Sequence, residues 1–149
     1  MVTTARRAFL KALDAPAVET AIRRAEAGTT GELRVSIAGY FRGQPRRLAE
    51  RAFQRLGINA TRHRNGVLIF IAPARRQVVV LGDAGIHGHV GDEFWQQIAT
   101  DLSAAARSGQ VNEGLLRAIA RIGDELARHF PAGSSPNPNE LPDTIDVPR

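Results

Sequence analysis

Three oxygen-bearing side chains, Glu32, Asn65 and Asp83, each border a short apolar run. The last of them opens the glycine-spaced polar stretch Gly82-Asp83-Ala84-Gly85-Ile86-His87-Gly88-His89-Val90-Gly91-Asp92-Glu93, read here as a loop. Carboxylate and amide oxygens at these positions would suit a hard divalent cation such as calcium or magnesium. His87, His89 and Glu93 form an additional candidate set whose nitrogens would instead favour zinc, or would serve in acid–base catalysis. The plainer roles are a turn for Asp83, a strand end for Glu32, a helix cap for Asp92 and loop positions for the histidines. No EF-hand or zinc motif is present, and the glycines at 82, 85, 88 and 91 fit neither the dinucleotide fingerprint nor a phosphate-binding loop.

A second group of candidates is basic. Arg42 lies in the loop 39–44, and Arg75 and Arg76 lie between two apolar runs, with Arg46 and Arg47 opening the next helix. Guanidinium groups recognise carboxylate and phosphate through paired hydrogen bonds, and a helix start adds positive potential. Arg42, Arg75 and Arg76 are therefore the candidate anion or partner site, the alternative being an ordinary solvated hairpin tip.

Elements must bring these residues together. Val67 to Ala72 and Val78 to Leu81 are too short for helices and rich in β-branched residues, which predicts two buried strands. Only Pro73-Ala74-Arg75-Arg76-Gln77 separates them, so they must pair antiparallel. An earlier strand is predicted at 32–38, where Leu33, Val35 and Ile37 alternate with more polar residues. Between the first two strands a helix carries Leu48, Ala52, Phe53 and Leu56 on one face, giving a βαβ unit with parallel strands. Helices are predicted at 3–13 and 17–27, with Glu19, Arg23, Arg24 and Glu26 on the polar face of the second, and at 93–107 and 111–130. The result is a layered α/β fold with a small mixed sheet, a βαβ unit plus an antiparallel hairpin, flanked by helices. A fourth strand could lie near 57–62 or in the tail. In this topology Glu32, Asn65 and Asp83 share one edge of the sheet, and Arg42, Arg75 and Arg76 share the opposite one.

Composition sets the outer limits. The 149 residues suffice for one domain, predicted at 1–130, with residues 131–149 a proline-rich tail that is either disordered or extended along the domain. Cysteine is absent, which removes disulfides, thiolate metal sites and cysteine nucleophiles. No apolar run approaches the roughly eighteen residues of a membrane span, so the expected chain is soluble and cytoplasmic. The formal charge is +5, and Lys11 is the only lysine among the basic residues. Because the arginines are scattered and few aromatics accompany them, the charge is read as a solvated surface, with nucleic acid a disfavoured partner and an unidentified protein partner left open.

The segments Thr30-Gly31-Glu32-Leu33-Arg34-Val35, Arg64-Asn65-Gly66-Val67-Leu68-Ile69, Leu81-Gly82-Asp83-Ala84-Gly85-Ile86, Phe94-Trp95 and Asn139-Glu140-Leu141-Pro142-Asp143 stand in this order along the chain. Together they resemble the TPM-domain family over about residues 15 to 145. The resemblance implies an αβα sandwich around a small mixed sheet. It also implies divalent-metal binding, notably calcium, placed on Asp83 first, Glu32 second and Asn65 third. A plant thylakoid-lumen relative brings a proposed acid-phosphatase activity with it. The residues add little to that activity: Arg62-His63-Arg64 is not the histidine acid phosphatase signature, and no aspartate pair has DxD spacing. The resulting expectation is a divalent-metal-binding domain of regulatory or interaction role, the alternatives being a metal-dependent acid phosphatase or an anion-binding module.

Overall fold

The computed structural model describes residues 2–133 and 141–148. Helices α1 (Val2–Ala12) and α2 (Ala15–Ala27) precede strand β1 (Glu32–Ile37). Helix α3 (Pro45–Arg55) leads through a 3-10 turn at Ile58–Ala60 to β2 (Gly66–Ala72) and β3 (Gln77–Gly82), and α4 (Ala84–Arg107) and α5 (Val111–His129) follow. The sheet has the order β1-β2-β3, with β1 parallel to β2 and β2 antiparallel to β3. This is the α/β fold with a mixed sheet that the residue pattern predicts.

Alternation sorts the side chains onto two faces. Leu33, Val35, Ile37, Val67, Ile69, Ile71 and Val80 pack with the apolar stripes of α2, α4 and α5 in the larger core. Leu68, Phe70 and Ala72 pack with Ala49, Ala52 and Phe53 of α3 and with Ile58 in the smaller one. Strand β2 is central and covered on both sides, which is why its seven residues read as a continuous apolar run.

Several boundaries differ from the sequence reading. Helix α2 begins at Ala15 rather than 17, because Asp14 is its N-cap and accepts from the Ala17 N–H at 3.2 Å. Glu26 was assigned to the polar face of α2 but is buried, only 4% exposed. The stretch after Asp83 is not a loop: helix starts at Ala84, with Asp83 as its cap. Gly91, at φ 79°, then interrupts the helix, so the start expected at Glu93 is really a restart beyond a kink. The glycine spacing disguised this first segment, and Gly85 has a local reason to be glycine. A Cβ there would meet the His63 carbonyl oxygen at 2.4 Å and that of Arg64 at 2.5 Å.

Residues 57–62 hold no strand but the 3-10 turn. The tail instead supplies a single parallel bridge, Ser36 to Asp146. Residues 141–148 run along the outer edge of β1, where Asp146 donates its N–H to the Val35 carbonyl at 2.9 Å and accepts from Ile37 N–H at 2.9 Å. Leu141 joins the smaller core and Ile145 the larger. Asn139 and Glu140 of the last family-like motif lie outside the described residues.

Candidate functional site

The starts of β1 and β2 and the end of β3 do lie at one end of the sheet, since Glu32 pairs with Gly66 and Asp83 N–H bonds to the Gly66 carbonyl at 2.9 Å. Strand β2 nevertheless stands between Glu32 and Asp83. With strands spaced just under 5 Å apart, their backbones are roughly 10 Å from each other, so sharing one ion would require both side chains to turn toward it, and each already accepts hydrogen bonds elsewhere.

Asp83 is occupied. Arg64 clamps its carboxylate through Nε at 2.7 Å and a terminal guanidinium nitrogen at 2.9 Å, and the Ala84 N–H adds a third bond at 2.8 Å. The carboxylate is 6% exposed while the arginine is 55% exposed, so the pair closes the rim from outside. Asn65 is fully buried and donates to Thr30 Oγ1 at 3.1 Å, tying the approach to β1 to the approach to β2. Its Oδ1 is buried without a hydrogen-bond partner.

The histidines diverge from this rim. His87 Nδ1 accepts the indole N–H of Trp95 at 3.0 Å, and its Nε2 lies 3.6 Å from Asp92. His89 stacks on His129 at 4.2 Å, and Glu93 is exposed. Among the described residues no three His, Asp or Glu side chains are arranged to hold a metal ion. The set proposed from sequence therefore does not fit a cation as the side chains stand.

Carboxylates gather elsewhere, under the tail. Glu26 accepts the Leu33 N–H at 2.8 Å, and Glu32 Oε1 accepts the Leu141 N–H at 2.6 Å. Burial pushes the Glu26 carboxyl up to about 9, helped by its hydrogen bond to Asp143 and by the nearby charges of Glu32 and Asp143, against the opposing Leu33 bond. Glu26 is therefore a neutral acid at neutral pH, donating its proton to Asp143. Asp143 Oδ1 is buried without a hydrogen-bond partner. Farther along, Asp146 accepts from Ser36 Oγ at 2.8 Å and from two nitrogens of Arg55. Burial alone would raise the Asp146 carboxyl, but the bonds from Arg55 and Ser36 and the charges of Arg55 and Arg34 outweigh it and hold it below the usual value. Neither Glu26, placed on a polar helix face, nor Asp143, noted only as part of a family-like motif, was a site candidate in the sequence, since nothing local distinguishes a helix carboxylate that meets a tail more than a hundred residues away.

The arginines behave differently from the acids. Arg75 and Arg76 line one groove of about 680 Å³ together with Arg46 of α3 and Arg107 of α4. No carboxylate lines it. Arg75 is fixed by a 2.8 Å bond to the Gly43 carbonyl and by lying 5.1 Å over the Phe41 ring. Arg46 has only an exposed contact with Glu50 at 3.5 Å. Arg42 is exposed and does not line the groove, whereas Arg107, which does, carries no signal in the sequence.

A three-stranded mixed sheet held between α3 on one face and the remaining helices on the other, with the tail along its β1 edge, defines a small α/β sandwich domain. No helix among the described residues is long and apolar enough to cross a membrane. The TPM domain model matches residues 4–125, and the chain belongs to that family. The BA42 protein of the psychrophilic bacterium Bizionia argentinensis is similar at 33% identity, with 90% of this chain and 92% of that one covered and a TM-score of 0.81. The N-terminal domain of a protein from P. gingivalis shares the fold at 18% identity, covering 76% of each chain, with a TM-score of 0.64. The N-terminal domain of cg2496 from Corynebacterium glutamicum does so at 19% identity, 80% and 74% coverage and a TM-score of 0.59. Comparison with curated proteins gives no match.

Proposed function

We propose that this TPM domain is a binding module that holds an acidic segment of a partner protein in the groove between the tip of the β2–β3 hairpin, α3 and α4. One observation carries this reading: Arg46, Arg75, Arg76 and Arg107 converge on a single groove lined by no carboxylate. Four cations facing one cleft repel one another and create a field that an anionic ligand relieves. One of them is preorganised, Arg75, by its bond to the Gly43 carbonyl and its place over the Phe41 ring. A bound carboxylate would meet paired guanidinium donors with little ordering cost.

Titration with fluorescein-labelled hexaglutamate tests the reading. Affinity should fall steeply between low and physiological salt, and Arg75→Glu with Arg76→Glu should weaken it by about tenfold or more, equivalent to about 1.4 kcal/mol. Arg42→Glu, outside the groove, should change it little. Equal effects from Arg42→Glu would sink the groove as the site, and stronger binding of an oligonucleotide or of anionic vesicles would reassign the partner.

A second reading is the hard-divalent-cation site implied by the family resemblance: Glu26, Glu32 and Asp143 interact electrostatically and Asp143 Oδ1 is buried without a hydrogen-bond partner, but as they stand the three are not arranged to hold an ion and would have to move to do so. Oxygen-only donors suit calcium or magnesium rather than zinc. Binding there would have to displace the Glu26 proton. Calcium calorimetry in two buffers of different ionisation enthalpy should then show proton release that is absent from Glu26→Gln. No calcium heat, or heat retained without proton release, removes the site from these residues. Among the described residues no arrangement favours the phosphatase alternative over these two readings, and no hydrolytic step is assigned.

A further inference from the structure

The two edges of the sheet are treated differently. The outer edge of β1 is closed: Leu33 N–H goes to Glu26, and the Val35 carbonyl and Ile37 N–H go to Asp146 of the tail. The outer edge of β3 has no such cover. Because Asp83 N–H bonds to the Gly66 carbonyl, the hydrogen-bonded pairs of this antiparallel ladder are Leu68 with Leu81, Phe70 with Val79 and Ala72 with Gln77. The intervening residues Val78, Val80 and Gly82 must then aim their N–H and C=O groups outward. None of those groups is bonded to another described residue.

This edge also lacks the usual protections. The sequence from Val78 to Gly82 is Val-Val-Val-Leu-Gly, with no charge and no proline, and every residue is paired in continuous register with no bulge. It is not a flat exposed ribbon either. All five of these residues line a narrow groove of about 200 Å³, with Arg46 from α3 on one side and His87, Asp92, Trp95, Gln96 and Ala99 from α4 on the other, Asp92 being its one carboxylate and lying 3.6 Å from His87. Consecutive strand residues point to alternate faces, so a groove that touches all five lies along the edge. Arg46, Val78, Val79 and Ala99 also line the four-arginine groove, so the two are continuous. The six residues of β3 span roughly 20 Å, enough for an equal length of extended peptide.

We infer that the partner binds by strand addition: an extended peptide segment with a carboxylate at one end pairs with the outer edge of β3 as a fourth strand, its acidic end against Arg46, Arg75, Arg76 and Arg107. This inference rests on the binding reading above and adds the shape of the ligand and the atoms that hold it. Backbone groups of Val78, Val80 and Gly82 supply the ladder, and the arginines supply charge selection at one end. The charge complementarity favours an acidic peptide over a second copy of this chain, whose own β3 strand carries no acidic residue to set against the four arginines; the groove's single carboxylate, Asp92, stands beside His87 and does not line the four-arginine groove.

The test uses the full chain, labelled with nitrogen-15, and the peptide acetyl-Glu-Glu-Thr-Val-Thr-Val-Glu-Glu-amide, whose two acidic ends allow either strand direction. A copy N-methylated at its central amides keeps the charge but cannot form the ladder. The expected result is a large shift and slowed exchange of the Val78, Val80 and Gly82 amides with the unmodified peptide, and at least about tenfold weaker binding of the methylated one. Equal binding of both, with shifts confined to the arginine groove, would overturn strand addition and leave the acidic-partner reading standing. Binding that is sensitive to methylation but indifferent to Arg75→Glu with Arg76→Glu would overturn the charge selection. Dimerisation through β3 in place of peptide binding, or no binding of either peptide, would overturn the inference outright.

Discussion

Replacing Glu26 with glutamine should make this protein more stable at neutral pH and remove a large part of its pH dependence. The Glu26 carboxyl sits at about 9 in the folded chain against 4.5 for a free side chain, chiefly because burial penalises its charge. Between those values the unfolded chain gives up a proton that the folded chain keeps. Stability therefore falls as pH rises, by about 1.4 kcal/mol per unit, being fully present below about 4.5 and lost as pH passes through about 9. At pH 7 the accumulated cost is roughly 3 kcal/mol, a large share of a domain's typical stability. Glutamine reproduces the neutral acid: its oxygen can accept the Leu33 N–H and its amide can donate to Asp143, as the protonated carboxyl does. Urea unfolding of both proteins at pH 5.5, 7.0 and 8.5 measures the effect, and the difference between them cancels other titrating groups. The expected gap is small at pH 5.5 and widens toward pH 8.5. For a chain of this size a gain of roughly 3 kcal/mol also raises Tm by about 6–12 °C. A constant gap across the pH range, or a glutamine variant less stable than the parent at pH 8.5, would show that Glu26 is ionised in the folded protein and refute the reasoning.

The other predictions concern separate parts of the molecule. Gly85→Ala should destabilise the domain by about 2 kcal/mol or more in urea unfolding, since its Cβ would press on two backbone carbonyl oxygens at 2.4 and 2.5 Å. Gly88→Ala, in the same helical segment with open space around it, should be neutral or stabilising, and an equal loss in both variants would refute the packing argument. Charge reversal at Arg75 and Arg76 should weaken salt-sensitive hexaglutamate binding by about tenfold or more while the chain stays folded, as its far-UV circular dichroism would show. Calcium heats should carry proton release only when Glu26 is present.

Local chemistry carried much of the fold into the sequence. Short β-branched runs, one five-residue hairpin connection and helical stripes such as Leu115, Ile119, Ile122 and Leu126 state which residues are buried and which strands pair, because each depends on neighbours in the chain. The motifs Thr30-Gly31-Glu32, Asn65-Gly66-Val67 and Gly82-Asp83-Ala84-Gly85 likewise announced the family. The helix after Asp83 was obscured because four glycines outweigh one N-cap in any local reading, while close approach to the His63 and Arg64 carbonyls is what requires glycine at 85.

What the tertiary structure alone decided is the state of each candidate side chain. Asp83 and Glu32 stand at the same end of the sheet, as topology requires, yet Asp83 is bound to Arg64 and Glu32 to the Leu141 N–H. Glu26 looks like a surface carboxylate on α2 until residues 141–148 return to bury it. Arg46, Arg76 and Arg107 are scattered in sequence and become one cationic groove only when α3, the hairpin and α4 meet. A side chain's charge, partners and solvent exposure depend on groups distant along the chain, so the sequence by itself determined the scaffold and the folded contacts decided which of its residues are free to act.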